Sequence, residues 1–363
     1  MRHEREQIIQ WNCRSAICNK NDLIHLHNIF EPFVSTLSET WLRPELIFRI
    51  PGYVILRQDW PDGYGGVAIV IKNNLPYSLF PLPSFGDDLS VIAAIVNKIC
   101  IVSIYFSRPN VNIFSHLNQL FSILPKPFLV LGDFNCQHQS WGSTSSNYYG
   151  DQLLDIIYSH CICILNTGLP TRVTGLSEGA SAPVLSLCSP DLASTLDWHP
   201  LASSYGSDHF PLVITFPSHK PNETTRSPRF KYRLNNADWE LFNQRVEQKT
   251  STYSQEGDQI SAEILSQVLI EAADESFCTK TKIRSQIPSP PWWDHECTAA
   301  IKTRKQAEKN YCEEMSEENF ELYLESARSA KKLFKKKRYD GWQSFCASAQ
   351  TSARQRSGVI FVD

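Results

Sequence analysis

Phe128-Leu129-Val130-Leu131-Gly132-Asp133-Phe134-Asn135 is an apolar run of strand length that ends in a polar turn. Bounded by Pro127 and Gly132, the run reads as a short strand with a carboxylate and an amide at its end. The same arrangement recurs along the chain. Ile8-Ile9-Gln10-Trp11 leads into Asn12, and Val34-Ser35-Thr36-Leu37 leads into Ser38-Glu39-Thr40. Gly206-Ser207-Asp208-His209 stands before a last strand at 211–216. Further strands are predicted at 67–72, 89–96 and 99–106, and short helices at 21–30 and 151–158. Many short strands with few long helices predict an α/β fold of two packed sheets with helices outside, although periodicity alone leaves the topology open.

At 363 residues, 42% hydrophobic and 20% charged, the chain suits one large domain with an appendage or two modest domains. Its apolar runs stop far short of a membrane span, and residues 1–7 do not begin a secretory signal. Eleven cysteines lack the paired hooks of a zinc site, which predicts reduced, mostly buried thiols in an intracellular protein. Charge is uneven. Lys and Arg number 13 against 17 Asp and Glu up to Lys220, and 22 against 21 from Pro221 onward. An acidic domain attracts nucleic acid poorly unaided, so a phosphodiester substrate calls for a bound cation.

Residues at adjacent strand ends converge in a sheet-based fold, and the four polar segments form a chemically coherent set. They offer carboxylates for a hard cation, amides for orientation and one imidazole. Mg²⁺ takes oxygen ligands and uses few protein carboxylates, and phosphodiester hydrolysis needs an activated water and neutralised charge. Taken singly, each segment has a plainer reading: Gly132-Asp133 as a turn, Ser38-Glu39 as a helix cap. Their occurrence together and in order favours the chemical reading.

In that order, Ile9-Gln10-Trp11-Asn12-Cys13-Arg14-Ser15, Leu37-Ser38-Glu39-Thr40-Trp41-Leu42, Gly132-Asp133-Phe134-Asn135 and Gly206-Ser207-Asp208-His209-Phe210-Pro211 resemble the endonuclease/exonuclease/phosphatase superfamily. The narrower likeness is to the apurinic-type endonuclease of jockey-like non-LTR retrotransposons. It rests on Pro51-Gly52-Tyr53, Gly65-Gly66-Val67-Ala68-Ile69, Trp141-Gly142-Ser143 and Leu187-Cys188-Ser189-Pro190, and the likeness as a whole covers about the first 217 residues. The resemblance implies a four-layer α/β sandwich of two packed mixed sheets flanked by helices. It also implies a nick in one strand of target DNA with Mg²⁺, or Mn²⁺ in its place.

Carried over residue by residue, the resemblance makes Glu39 the Mg²⁺ ligand, with Asn12 beside it and Asp208 in the cation and water network. Asp133 positions or activates the attacking water, Asn135 holds the phosphate, and His209 donates to a phosphate oxygen. Tyr105 matches a phosphate-contacting tyrosine, although the proline that usually follows two residues later is delayed here to Pro109.

One departure bears on activity. The family orients its histidine with an aspartate in a phrase like Ala-Pro-Asp-Leu-Ser-Leu-Cys-Ser-Pro, and this chain reads Ala182-Pro183-Val184-Leu185-Ser186-Leu187-Cys188-Ser189-Pro190. Valine cannot accept the imidazole N–H, so His209 loses the group that would fix its tautomer and orientation. Asp191 and Asp197 are the nearby carboxylates weighed as substitutes. The expectation is reduced nuclease activity.

The expected organisation is a nuclease-type domain over 1–217, a linker over 218–229 and a helical segment over 230–363. The last resembles the connector between endonuclease and reverse transcriptase, including Pro291-Trp292-Trp293-Asp294. With no paired-aspartate polymerase motif before Asp363, the reading is of a truncated element, a fragment or a domesticated remnant. DNA is the expected partner and the nucleus the expected location; oligomeric state is not legible. Two alternatives stand beside this reading: a catalytically dead remnant, and a lipid or inositol phosphodiesterase on the same fold. The cationic run Lys331 to Arg338 is read as a solvated helix face, a partner of the acidic run Glu313 to Glu325, or a nucleic-acid contact.

Overall fold

Alternation along the first strand, β1 (Gln7–Asn12), separates two cores. Ile9 and Trp11 belong to a cluster with Leu23 and Leu26 of helix α1 (Lys20–Phe30), while Ile8 faces the other way, into a cluster shared with a second sheet. Gln10 and Asn12 lie on the Ile8 face, and this alternation puts Asn12 opposite the second sheet. The structure, a computed structural model, describes residues 6–86, 89–216, 238–255, 261–277 and 287–357. The expected linker at 218–229 lies outside them.

The first sheet combines β1 with β2 (Val34–Ser38), β3 (Tyr53–Gln58), β4 (Val67–Lys72), β11 (Asp197–Pro200) and β12 (Leu212–Thr215). Its order is β11-β12-β1-β2-β4-β3. The second contains β5 (Tyr77–Leu79), β6 (Ser90–Val96), β7 (Ile99–Tyr105), β8 (Phe128–Asp133), β9 (Cys163–Ile164) and β10 (Val184–Cys188), ordered β5-β6-β7-β8-β10-β9. Each sheet is mixed, with one parallel pair at its centre: β1 with β2, and β7 with β8. The loop 59–66 joins β3 to β4 as a hairpin.

Val34, Ile69, Ile101, Leu129, Leu131 and Ile214 fill the space between the sheets. Helices α2 (Val111–Ile123) and α3 (Tyr148–Ser159) cover the far side of the second sheet through Leu117, Leu120, Leu153 and Ile157, and a short α4 (Pro190–Ala193) follows β10. With α1 on the first sheet, this is the four-layer α/β sandwich expected from the sequence. One polar seam crosses the apolar interior. The Gln10 amide donates to the carbonyls of Leu185 (2.7 Å) and Gly132 (3.3 Å), and its oxygen accepts from Ser186 Oγ. Buried polar groups must be paired, so this seam fixes the register of one sheet against the other. Trp141 is fully buried, as a packing residue.

The described chain forms two compact units. One joins Met1–Ser218 with Ile287–Asp363, and the other is His219–Gln286. The first therefore includes α7 (His295–Glu313) and the long α8 (Glu317–Ser357). Asp294 caps α7, its Oδ1 accepting from Cys297 N, and Lys337 of α8 bridges Asp294 and Glu296. At Lys337, the cationic run meets the acids that open α7 and not those of Glu313 to Glu325. The second unit pairs α5 (Trp239–Gln255) with α6 (Ala262–Ser276) through Lys249, whose Nζ contacts Glu271 and Glu275. Among the described residues, no helix is long and apolar enough to cross a membrane. Cys13, Cys100, Cys136, Cys188 and Cys297 are buried and Cys18, Cys161 and Cys312 exposed, and all of these are free thiols.

Candidate active site

Parallel pairing brings the carboxyl ends of strands side by side, and here two such pairs face each other across the sandwich. In the first sheet, Asn12 is in register with Ser38, one residue before Glu39. In the second, Tyr105 is in register with Asp133, and Asp133 is in turn opposite Val184. Gly132 permits this closeness, because a Cβ there would collide with the Ile104 carbonyl of β7.

The Asn12 amide nitrogen bridges the two halves. It donates to Glu39 Oε1 at 2.9 Å and to Asp133 Oδ2 at 2.7 Å, while the Asn12 oxygen accepts from Arg14 N. Asp133 Oδ1 accepts from the Asn135 backbone N–H at 3.0 Å, and the Asn135 amide donates to Phe106 O. The Tyr105 hydroxyl hydrogen-bonds to Glu39. Glu39 and Asn135 both adopt left-handed backbone conformations, φ +49° and +47°, which L-residues disfavour by about 1–2 kcal/mol. Such conformations persist where the surroundings dictate them, and here each turns a polar side chain into the site.

His209 sits opposite these carboxylates. Its backbone N–H donates to Ser207 Oγ (3.2 Å), its carbonyl accepts from Trp11 Nε1 (3.1 Å), and Nε2 lies 3.7 Å from Asp133 Oδ2. Ligand atoms of Glu39, Asp133 and His209 all lie within 4.8 Å of one another, a group that could hold a metal ion. Burial, reinforced by the neighbouring carboxylates of Asp133 and Asp208, raises the Glu39 pKa against the opposing Asn12 hydrogen bond and His209. Two crowded carboxylates sharing one amide donor are what a hard divalent cation stabilises, so the donor set fits such an ion. The Tyr105 phenol is pushed far above its ordinary range by burial and then by Glu39 and Asp133, and stays a hydrogen-bond donor.

Of the residues expected from the sequence, Asn12, Glu39, Tyr105, Asp133, Asn135 and His209 converge. Asp208 lies at the rim and faces arginines. Its carboxylate pairs with Arg14 at 2.7 Å and Arg172 at 3.6 Å, outside the Glu39, Asp133 and His209 group. Burial opposes its ionisation, but His209, Arg14 and Arg172 outweigh that and hold its pKa below the ordinary value. A cleft of about 300 Å³ opens here, lined by Arg14, Glu39, Trp41, Asn135, Arg172, Asp208 and His209 among others.

Sequence reasoning passed over Arg14, Trp41 and Arg172. The first two lie inside the quoted segments, two residues beyond Asn12 and Glu39. Arg172 carries no local signal. It reaches the site because the segment after β9 returns to bridge His209.

The second imidazole nitrogen is the site's anomaly. His209 Nδ1 is buried and has no hydrogen-bond partner. Val184 stands beside the ring's segment, since Thr171 accepts from both Val184 N (at Oγ1) and Phe210 N (at its carbonyl). Asp191 accepts from Ser189 Oγ beyond the far end of β10, and Asp197 lies on β11 of the other sheet. Neither serves Nδ1.

Known proteins resemble this chain in sequence and in fold. Residues 99–213 match the family model described as endonuclease-reverse transcriptase. The RNA-directed DNA polymerase from mobile element jockey of Drosophila melanogaster is 25% identical over 292 residues, 77% of this chain and 30% of that protein. A probable RNA-directed DNA polymerase from transposon X-element of the same species is 28% identical over 221 residues, 58% of this chain and 24% of that protein. The chain thus spans about a third or less of the length of these relatives. Among solved structures, the endonuclease domain of TRAS1, a telomere-specific non-LTR retrotransposon, superposes with TM-score 0.50 at 22% identity. That match covers 58% of this chain and 98% of the other. An AP endonuclease from Leishmania major superposes with TM-score 0.50 at 16% identity, covering 60% and 88%. At these identities the structural likeness concerns the fold.

Proposed function

We propose that this chain, whose nuclease-type fold belongs to the endonuclease/exonuclease/phosphatase superfamily in its non-LTR retrotransposon branch, is a DNA endonuclease that works with Mg²⁺, or with Mn²⁺ in its place. The observation that carries the reading is the meeting of Glu39, Asp133 and His209 at the end of a cleft flanked by Arg14 and Arg172. Glu39 and Asp133 would hold the cation, which when bound supplies charge neutralisation to the phosphate and lowers the pKa of a coordinated water.

The remaining work falls to the chain's own groups. Asn12 locks the two carboxylates at a fixed separation, so the site needs little reorganisation when substrate arrives. Asp133, held by Asn12 and the Asn135 N–H, orients the attacking water in line with the scissile bond. The Nε2 of His209 and the Tyr105 hydroxyl donate to phosphate oxygens as negative charge builds on them. Arg14 and Arg172, kept in place by Asp208, attract the backbone on either side. In a complete element inside a nucleus, the 3′-hydroxyl of the nick would prime reverse transcription.

The orphaned Nδ1 supports a slow rather than an efficient enzyme, because the ring lacks the partner that would orient it. Incubation of the chain with supercoiled plasmid tests the reading. Relaxed circles should form with Mg²⁺ and not with EDTA, and Glu39→Ala should lower the rate by about 100-fold or more. Equal nicking by Glu39→Ala would contradict it. Phosphate release from a phosphoinositide, with none of these changes on plasmid, would favour the lipid phosphodiesterase alternative.

A further inference from the structure

The loop that carries His209 is gripped from two directions. From within the sandwich, Ser207 Oγ donates to Asn12 O at 2.8 Å and accepts from His209 N. From outside, helix α7 reaches in with two charged residues that are almost wholly buried, Glu308 at 0% exposure and Arg304 at 2%. Glu308 Oε2 accepts from Ser203 Oγ and Oε1 from Ser204 N, both at 2.7 Å. Arg304 pairs with Asp22 Oδ1 at 2.6 Å and lies so close to Gly206 that a Cβ there would sit 2.9 Å from its guanidinium.

Between the two grips, Tyr205 and Gly206 are both in the left-handed region, φ +55° and +89°. For Tyr205 that conformation is disfavoured, so this stretch of loop has to be held. Buried carboxylates are costly unless hydrogen-bonded, and Glu308 spends both oxygens on the loop.

The ring at the end of this loop has nothing bonded to Nδ1. With valine at 184, imidazole orientation therefore depends on the path of its own backbone.

We propose that Glu308, seconded by Arg304, is a positioning residue for His209, and that α7, outside the sandwich, supplies part of the constraint that a carboxylate at position 184 would otherwise give. The inference rests on the nuclease reading for its kinetic consequence, but its geometric core does not.

The test uses the full chain as wild type, Glu308→Ala, Val184→Asp and the double variant. Two readouts are taken: plasmid nicking resolved into kcat and KM, and NMR of ring-labelled histidine in EDTA. The His209 signal is assigned by its loss in His209→Gln. We expect Glu308→Ala to lower kcat about tenfold with KM little changed, since small misplacements of catalytic groups are that costly. The His209 ring signal should broaden. In the Val184→Asp background the same substitution should cost less than about threefold, the coupling expected of two constraints on one ring.

Glu308→Gln, which can still accept from Ser204 N and donate to Ser203 Oγ, should restore most of the loss. Equal fold-losses in both backgrounds, or an unchanged His209 signal, would overturn the proposal. If no variant nicks DNA, the nuclease reading has failed and the NMR comparison alone decides the positioning role. If Glu308→Ala does not fold, Ser203→Ala, which removes one tie from the loop side, is read in its place by the same criteria.

Discussion

His209 presents one nitrogen to Asp133 and leaves the other buried with nothing to bond. Asn12, Glu39, Tyr105, Asp133 and Asn135 each have a side-chain partner, so the unpartnered Nδ1 locates the chemical consequence of Val184. The vacancy was legible in the sequence because the surrounding phrase, from Ala182 to Pro190, made position 184 conspicuous. What the sequence could not give was the pairing of Asp208 with Arg14 and Arg172, which depends on segments distant in the chain.

Glu39 makes a prediction at this scale. Its folded pKa is raised above the ordinary 4.5, so the folded state holds the proton more tightly than the unfolded chain. Its favourable contribution is complete below the ordinary value and is lost as pH rises through the raised one. In EDTA, Glu39→Gln should therefore gain thermal stability relative to wild type as pH rises from about 4 to 7. Adding Mg²⁺ should stabilise wild type alone. A Tm difference independent of pH would contradict the assignment.

Secondary elements were legible where periodicity is strong and partner-independent. The helices expected at 21–30 and 151–158 fall within Lys20–Phe30 and Tyr148–Ser159, and the central strands follow the apolar runs. Helix α2 was not read from the sequence, although its apolar face is well marked. The pairing order was not legible either. Nothing local tells β1 to lie parallel to β2 and antiparallel to β12, because that choice depends on which faces the helices cover. Two substitutions probe what holds elements in place. Asn147 caps α3, its Oδ1 accepting from Gly150 N at 2.8 Å, so Asn147→Ala should cost about 1 kcal/mol in urea unfolding. Arg304→Ala should cost about 3–5 kcal/mol, because it leaves Asp22, 2% exposed, without its counter-charge. If Arg304→Ala cost no more than the cap, α7 would not be integral to the fold.

On the scale of the molecule, an acidic sandwich places two arginines, Arg14 and Arg172, at the rim of the cleft beside its carboxylates. Composition indicated the need for a cation, and the geometry supplies a group of ligands suited to one. Helices α7 and α8 join the sandwich in one compact unit, which the polar break after Phe216 did not suggest. The break is visible in sequence, whereas the return of Arg304 and Glu308 to the His209 loop is a tertiary event.

The proposed nuclease site is limited by the missing partner at His209 Nδ1. The most direct measurement is the single-turnover rate of plasmid nicking in Mg²⁺ for wild type against Val184→Asp. The aspartate should raise the rate by on the order of 10- to 100-fold, reaching the lower end of what a well-placed proton donor contributes. An unchanged or slower rate, from a variant that melts no lower than wild type, would contradict it.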